Sequence, residues 1–193
     1  DEDRLYTSLG YHAPLVALDP KTGRTIKTWE EVAGVDEIVV QGSTIFVVNR
    51  PKNRASYDKR GDSAWTKVYP RTRMEYPGEV VALDRNSCQV LWRSADKNLD
   101  SLSLTATPFG VIYHNGKAIV CLDPATGKPR WKTPNENAAS YRFFVNHTIL
   151  AHDDVLLVGT PSSIEAYSLR TGEKLWEGRG ARKGFVMFAP PDL

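Results

Sequence analysis

An all-β fold of the β-propeller class, built from four-stranded antiparallel blades, is predicted by three features of this sequence. The first is a signature, Ala-x-Asp-x-x-Thr-Gly-x-x-x-Trp, that returns four times. It reads Ala17-Leu18-Asp19-Pro20-Lys21-Thr22-Gly23, then Ala82-Leu83-Asp84 running to Trp92, then Cys121-Leu122-Asp123-Pro124-Ala125-Thr126-Gly127 to Trp131, and finally Ala166-Tyr167-Ser168-Leu169-Arg170-Thr171-Gly172 to Trp176. The second is spacing: positions 84, 123 and 168 lie 39 and 45 residues apart, and a period of roughly 40 to 50 residues made only of strands and turns marks a propeller blade. The third is that the segments between turns are short apolar runs, as strands are.

In chain order, residues 5–9, 15–19 and 25–29 predict three strands with no partner before them, a blade remnant over 1–29. Residues 36–93, 101–133 and 141–177 each predict a full four-strand blade. Residues 183–189 predict a last strand within a second remnant, 183–193. The chain 1–193 therefore reads as one propeller domain of about four blades, or part of one. Two closures fit. The last strand completes the first blade in a closed four-bladed ring, which removes exposed edges, or the blades form an arc of a seven- or eight-bladed ring. The ending Ala189-Pro190-Pro191-Asp192-Leu193 reads as a continuing segment and favours the arc.

Each position of the signature has a physical role. Val80-Val81-Ala82-Leu83 and Ala118-Ile119-Val120-Cys121-Leu122 read as buried strands. Asp-Pro-x-Thr-Gly is turn chemistry: Asp folds its carboxylate onto backbone NH groups, Pro presets φ, and Gly takes a positive φ that a Cβ would penalise. The following strand ends in Trp, whose flat ring is expected to lie against the neighbouring blade while its indole NH finds a carbonyl. Asp19, Asp84 and Asp123, with Trp92, Trp131 and Trp176, are accordingly expected as blade-docking residues, and no catalytic residue is assigned.

These repeats resemble those of the PQQ-like (quinoprotein alcohol dehydrogenase-like) β-propeller family of bacteria, which includes quinoprotein alcohol dehydrogenases and the propeller lipoprotein of the outer-membrane assembly machinery. The resemblance covers most of the chain outside residues 50–77, and it implies a ring larger than four blades. Departures are local. Lys27 stands where the first Trp is expected, with Trp29 two residues on; Cys88 replaces Gly in the second copy, and Ser168 replaces Asp in the fourth.

The repeat spacing breaks once. Asp19 to Asp84 is 65 residues, and the surplus falls in residues 50–77. This insertion holds eight basic residues (Arg50, Lys52, Arg54, Lys59, Arg60, Lys67, Arg71, Arg73) against three acids (Asp58, Asp62, Glu75). The chain's net charge of +2 hides this imbalance, because the rest carries 17 basic and 20 acidic residues. Interleaved aromatics, Tyr57, Trp65, Tyr69 and Tyr76, suit a surface that docks partners or anions through forked guanidinium bonds and flat rings. Arg54, Tyr57, Arg60, Trp65, Arg71 and Arg73 are the candidate binding residues. The plainer reading is a solvated loop pinned to the propeller face by its aromatics. Nucleic acid is not expected as a partner, because one basic loop on an acidic body is a poor electrostatic track.

Other constellations carry little chemistry. The four histidines show no metal-ligand spacing beyond the pair His147 and His152, on a strand and its turn. Asp153-Asp154 reads as a turn pair. Asn146-His147-Thr148 matches an N-glycosylation pattern within an apolar strand. Cys88 and Cys121 are expected as free thiols, and no apolar run reaches the roughly 18 to 20 residues of a membrane helix. The opening Asp1-Glu2-Asp3-Arg4, without an initiator Met or signal peptide, is expected of a processed chain or a piece of a longer one.

The expected function is a non-catalytic scaffold in a periplasmic or otherwise extracytoplasmic compartment. Its partners are expected to be other blades or domains of a longer chain or a partner protein, without a cofactor, metal or membrane span. The resemblance leaves an alternative, an arc of a quinoprotein dehydrogenase, and implies for it PQQ at the ring centre, calcium and a catalytic Asp. Against that alternative stand the missing adjacent-cysteine pair and the lack of a recognisable Asn/Asp/Glu calcium set.

Overall fold

The computed structural model describes residues 3–10, 12–50, 77–100, 102–135, 148–159 and 163–179, and among them every regular element is a β-strand. The first sheet holds β1 (Leu5–Ser8), β2 (Pro14–Leu18) and β3 (Thr25–Ala33). The second holds β4 (Val35–Gln41), β5 (Thr44–Asn49), β6 (Gly78–Asp84) and β7 (Val90–Asp96). The third holds β8 (Thr105–Ala106), β9 (Val111–His114), β10 (Ala118–Leu122) and β11 (Pro129–Pro134). The fourth holds β12 (Thr148–His152), β13 (Val155–Gly159), β14 (Ser163–Ser168) and β15 (Lys174–Arg179). Within each sheet consecutive strands pair antiparallel, so each sheet is a meander and the set is an arc of propeller blades. The first blade has three strands among the described residues. The strand expected at 183–189 lies outside them.

Strand periodicity explains how the blades stack. Because alternate side chains point to opposite faces, a cross-strand row of residues shares one face. The row Val39, Phe46, Ala82, Trp92 crosses the second blade and faces Val111, Tyr113, Val120 and Leu122 of the third. The row Ile112, Cys121, Trp131 of the third blade faces Ile149, Leu156, Val158, Tyr167 and Leu169 of the fourth. Leu15, Ala17 and Trp29 of the first blade face Ile45, Val47, Val81 and Leu83 of the second. The core is thus three apolar layers, one per joint. Small Ala or Cys at the row's third strand leaves room for the large indole on its fourth.

The first blade departs from the repeat. Ala17 pairs with Lys27, the position where the signature predicts Trp, while Leu15 pairs with Trp29, and the register shifts on both sides of this stretch. A displacement of two residues keeps a side chain on the same face. Trp29 is wholly buried and closes the joint, whereas Lys27 is exposed. Truncating a buried aromatic typically costs about 3 to 5 kcal/mol, so Trp29→Ala is expected to lower the melting temperature strongly. Lys27→Ala should leave it nearly unchanged, and a thermal scan of the two variants side by side checks which residue docks the blade.

Candidate functional site

β6 starts at Gly78, beside the insertion, and ends at Asp84, in the signature turn. Insertion and turns therefore sit at opposite ends of the blades. At the turn end each Asp acts as predicted from its side chain's reach. Asp19 Oδ1 accepts from the backbone NH groups of Lys21 (2.8 Å) and Thr22 (2.9 Å). Asp84 Oδ1 accepts from Asn86 (3.0 Å) and Ser87 (2.6 Å). Asp123 Oδ1 accepts from Ala125 (3.0 Å) and Thr126 (2.9 Å), and its other oxygen takes the Arg130 guanidinium at 2.7 Å. Arg130 and the Thr126 donors hold the Asp123 carboxyl down to about 2, while the Thr22 and Lys21 backbone donors, with the Thr22 hydroxyl, lower Asp19 and Ser87 lowers Asp84. Ser168 accepts more weakly, from Thr171 N at 3.3 Å.

These turns are also receptors for the preceding blade's indole. Trp92 Nε1 donates to the Pro124 carbonyl at 2.9 Å, Trp131 Nε1 to Leu169 at 3.0 Å, and Trp29 Nε1 to Cys88 at 2.9 Å. The turn glycines lie flat against the rings: a Cβ on Gly127 would fall 2.5 Å from the Trp92 ring, and one on Gly172 2.6 Å from that of Trp131. Cys88 holds the equivalent place with a positive φ of 60°, and the displaced Trp29 is what leaves room for its side chain. Trp92 is buried and Trp131 half-buried, but Trp176, expected in a joint, is 51% exposed. It lies on the last described strand, with no described blade beyond it to cover the ring.

At the opposite end, Arg50 opens the insertion. It is 4% exposed and turned inward, its Nε donating to Asp36 at 2.7 Å and its Nη2 to the Leu99 carbonyl at 2.8 Å. Gly34, at φ 90°, permits this, because a Cβ there would sit 1.9 Å from the Arg50 carbonyl oxygen. Asn49 pairs across the sheet with Glu79, to which its side chain also donates at 2.8 Å. The two roots of the insertion therefore lie side by side on paired strands. Arg54, Tyr57, Arg60, Trp65, Arg71 and Arg73 lie outside the described residues.

The same end holds a buried polar belt that sequence reading did not find. The wholly buried His114 ring lies between Asp100 (Nδ1 to Oδ2, 2.8 Å) and the Asn135 carbonyl (3.2 Å from Nε2). Asn98 donates to Asp100 and to the Asn115 carbonyl, and Ser103 donates to the Asp100 carbonyl. In the fourth blade, Glu165 accepts from Asn135 and Tyr167, both at 2.7 Å, and from Lys174 at 3.1 Å. Burial pushes this carboxyl up, but the donors outweigh it and leave it below its usual range. These polar residues alternate with apolar ones at strand ends, so nothing in their spacing distinguishes them from solvent-facing positions.

Glu37 on β4 is the carboxyl among the described residues that its surroundings drive towards neutrality. Oε2 accepts from Leu104 N at 2.8 Å, while Oε1 is buried with no hydrogen-bond partner. Burial, with the neighbouring Asp36 adding to it, raises Glu37 to about 7 against the pull of the Leu104 and Ser103 NH groups and Arg50. Cys88 and Cys121 are free, and burial pushes Cys121 up to about 12. Among the described residues no group of three or more His, Cys, Asp or Glu side chains is placed to hold a metal ion, and no helix is long and apolar enough to cross a membrane.

A family model described as outer membrane protein assembly factor BamB matches residues 77–187, more than half of the chain. No curated protein matches it. Among solved structures, BamB from Moraxella catarrhalis is similar at 18% identity and a TM-score of 0.60, over 95% of this chain and 51% of that one. The quinohemoprotein alcohol dehydrogenase ADHIIG from Pseudomonas putida HK5 is similar at 16% identity and a TM-score of 0.59, over 92% of this chain and 33% of that one. Saccharomyces cerevisiae Sqt1 is similar at 12% identity and a TM-score of 0.68, over 98% and 48%. At these identities the likeness is one of fold, and the chain spans between a third and about half of each of these three proteins.

Two tests follow from the geometry of the two ends. Gly23 and Gly127 share a φ of 69°, but a Cβ on Gly23 meets nothing within 4 Å. Alanine at either position incurs backbone strain of roughly 1 to 2 kcal/mol, and only Gly127→Ala also drives a methyl into the Trp92 ring. Gly127→Ala should therefore lower the denaturation midpoint clearly more than Gly23→Ala. For Glu37, a pKa raised on folding means the native state binds more protons. Its stabilising effect is full below the unfolded value near 4.5 and is lost as pH rises through about 7. Urea midpoints should fall between about pH 5 and about pH 8 in the native protein, and Glu37→Gln should flatten that fall.

Proposed function

The chain belongs to the PQQ-like repeat family described as outer membrane protein assembly factor BamB, and from that premise we propose that it is a non-catalytic propeller scaffold presenting a surface to a partner protein or to an adjoining domain. It works as part of a larger bacterial protein, in the periplasm or another extracytoplasmic compartment, without PQQ or calcium. The observation that carries this reading is where the recurring polar groups go. The Asp carboxylates close turns, the indole NH groups bind neighbouring blades, and at the insertion end Arg50 bonds Asp36 and the Leu99 carbonyl, His114 bonds Asp100, and Glu165 accepts from Asn135, Tyr167 and Lys174. What these leave over is the basic, aromatic insertion. Ordering a loop of that length costs conformational entropy that the blades do not require, and partner binding offsets it.

The same geometry makes the reading testable. Because Asn49 and Glu79 pair and Arg50 is anchored on its own blade and the next connection, replacing residues 52–76 with a Gly-Asn turn should keep the fold and its melting temperature close to native. Cross-linking and pull-down in the source bacterium should then lose the partners captured by the native chain. A shortened variant that unfolds makes the insertion structural, and one that still captures the same partners moves recognition to the blade faces. Purified protein should show neither quinone absorbance nor calcium-dependent dye reduction. Stoichiometric PQQ binding with dye reduction would replace the scaffold by the dehydrogenase reading.

A further inference from the structure

The hairpin joining β9 to β10 turns through Asn115, Gly116 and Lys117, closed by Asn115 N donating to the Ala118 carbonyl at 3.0 Å. Asn115 is the one Asn of the chain followed by Gly, so no side chain shields the next backbone nitrogen. Its carboxamide folds back over the turn. Oδ1 accepts from Lys117 N at 3.2 Å and Ala118 N at 3.0 Å, while Nδ2 donates to Asp96 Oδ2 at 3.1 Å. A carboxamide whose oxygen reaches the amides two and three residues on has its carbon turned towards the amide between, that of Gly116. The Gly116 N–H points inward and donates to His114 Nδ1 at 2.8 Å. As the acceptor of that bond Nδ1 carries no hydrogen; the ring's hydrogen is on Nε2, which faces the Asn135 carbonyl at 3.2 Å. Asp100 Oδ2 lies 2.8 Å from Nδ1 and raises that nitrogen's affinity for a proton, as an Asp beside a His base does.

We propose that Asn115-Gly116 is a self-modifying site, at which the folded chain converts Asn115 to aspartate and isoaspartate through a cyclic imide. Gly116 N gives its hydrogen to His114 Nδ1 and bonds to Asn115 Cγ. The charge that develops on Oδ1 is met by the Lys117 and Ala118 N–H groups, donors already in place before the reaction. The Cγ–Nδ2 bond then breaks, and the side-chain nitrogen leaves as ammonia with the proton that His114 held. Water opens the imide at one carbonyl or the other, leaving aspartate or isoaspartate, and is the single co-reactant. Asn115 is half-buried and Lys117 exposed, so water reaches the tip. The base lies within hydrogen-bond reach of the proton it takes, which is the geometric requirement for general base catalysis. The product also changes a joint. Asp96 ends β7 of the second blade and accepts from Tyr113 OH as well as from Asn115 Nδ2. Turning that amide donor into a carboxylate sets two like charges against each other and weakens the tie between the second and third blades.

Peptide mapping by mass spectrometry tests this on freshly synthesised chain incubated at neutral pH, native in one arm and unfolded in urea in the other, with isoaspartate read by enzymatic methylation. The expected result is conversion of Asn115 about tenfold faster or more in the native arm, below the full contribution of a positioned base. Asn86 and Asn98, followed by Ser87 and Leu99, should stay intact over the same time. His114→Gln keeps an amide in the ring's place but supplies no base, and should bring the native rate down to that of the unfolded chain. A native rate equal to or slower than the unfolded one overturns the proposal, because the hydrogen bonds then lock the carboxamide in place of activating it. Conversion to aspartate without isoaspartate overturns the imide route in favour of direct hydrolysis. A His114→Gln chain that converts as fast as the native one removes the base. If that variant fails to fold, the comparison of the native and unfolded arms still decides.

Discussion

The structure depends on one interaction, the indole of one blade lying on the turn of the next. An isolated four-stranded meander has two apolar faces and cannot bury both, so its stability has to come from neighbours. The Trp residue supplies the largest apolar surface in the row and, through its NH, a single directional bond to a turn carbonyl. The apolar area provides most of the energy, and the hydrogen bond with the bare glycine face sets distance and register. The Asp that closes the turn matters for this reason. Its carboxylate holds the loop in the one shape whose carbonyl points at the incoming NH.

The fourth and first repeats show how much variation this device absorbs. Ser168 replaces Asp and accepts at 3.3 Å, yet its turn still receives Trp131, because the backbone bond from Gly172 N to Ser168 O at 2.8 Å closes it. In the first blade the ring moves two residues along β3 and its carbonyl acceptor moves with it, from the residue after Asp to Cys88. Donor and acceptor shift together, so the joint survives. The absent Gly is tolerated because the displaced ring no longer lies where Gly127 and Gly172 meet theirs.

Charge is divided between the two ends of the blades by the same logic. At the turn end, the Asp carboxylates are half-buried, accept from the backbone, and ionise more readily than free carboxylates. At the insertion end, carboxylates are enclosed, and their state depends on whether donors were supplied. Glu165 has Asn135, Tyr167 and Lys174 and stays ionised, while Glu37 has only the pull of backbone NH groups and a distant Arg50 against its burial, with one oxygen unpartnered, and is driven towards the acid form. The end at which residues 50 and 77 lie is therefore polar within and tied by hydrogen bonds.

The sequence by itself determined the blade, because the blade is made of local rules. Period-two burial, Asp-Pro-x-Thr-Gly turns and a terminal Trp are each legible within ten residues, and their recurrence announces the stacking. It also located the insertion, since a broken interval is visible without coordinates. Only the tertiary structure decided that Trp29 and not Lys27 closes the first joint, because that turns on a register shift in β2 that no residue advertises. It alone revealed the exposure of Trp176, which depends on which surface lies next to a strand and not on the strand. The His114, Asp100 and Asn135 belt was illegible for a related reason. Its members come from separate connections and strand ends, polar residues in positions where polar residues are ordinary, and they become a network only when three blades bring them within 3 Å or so of one another.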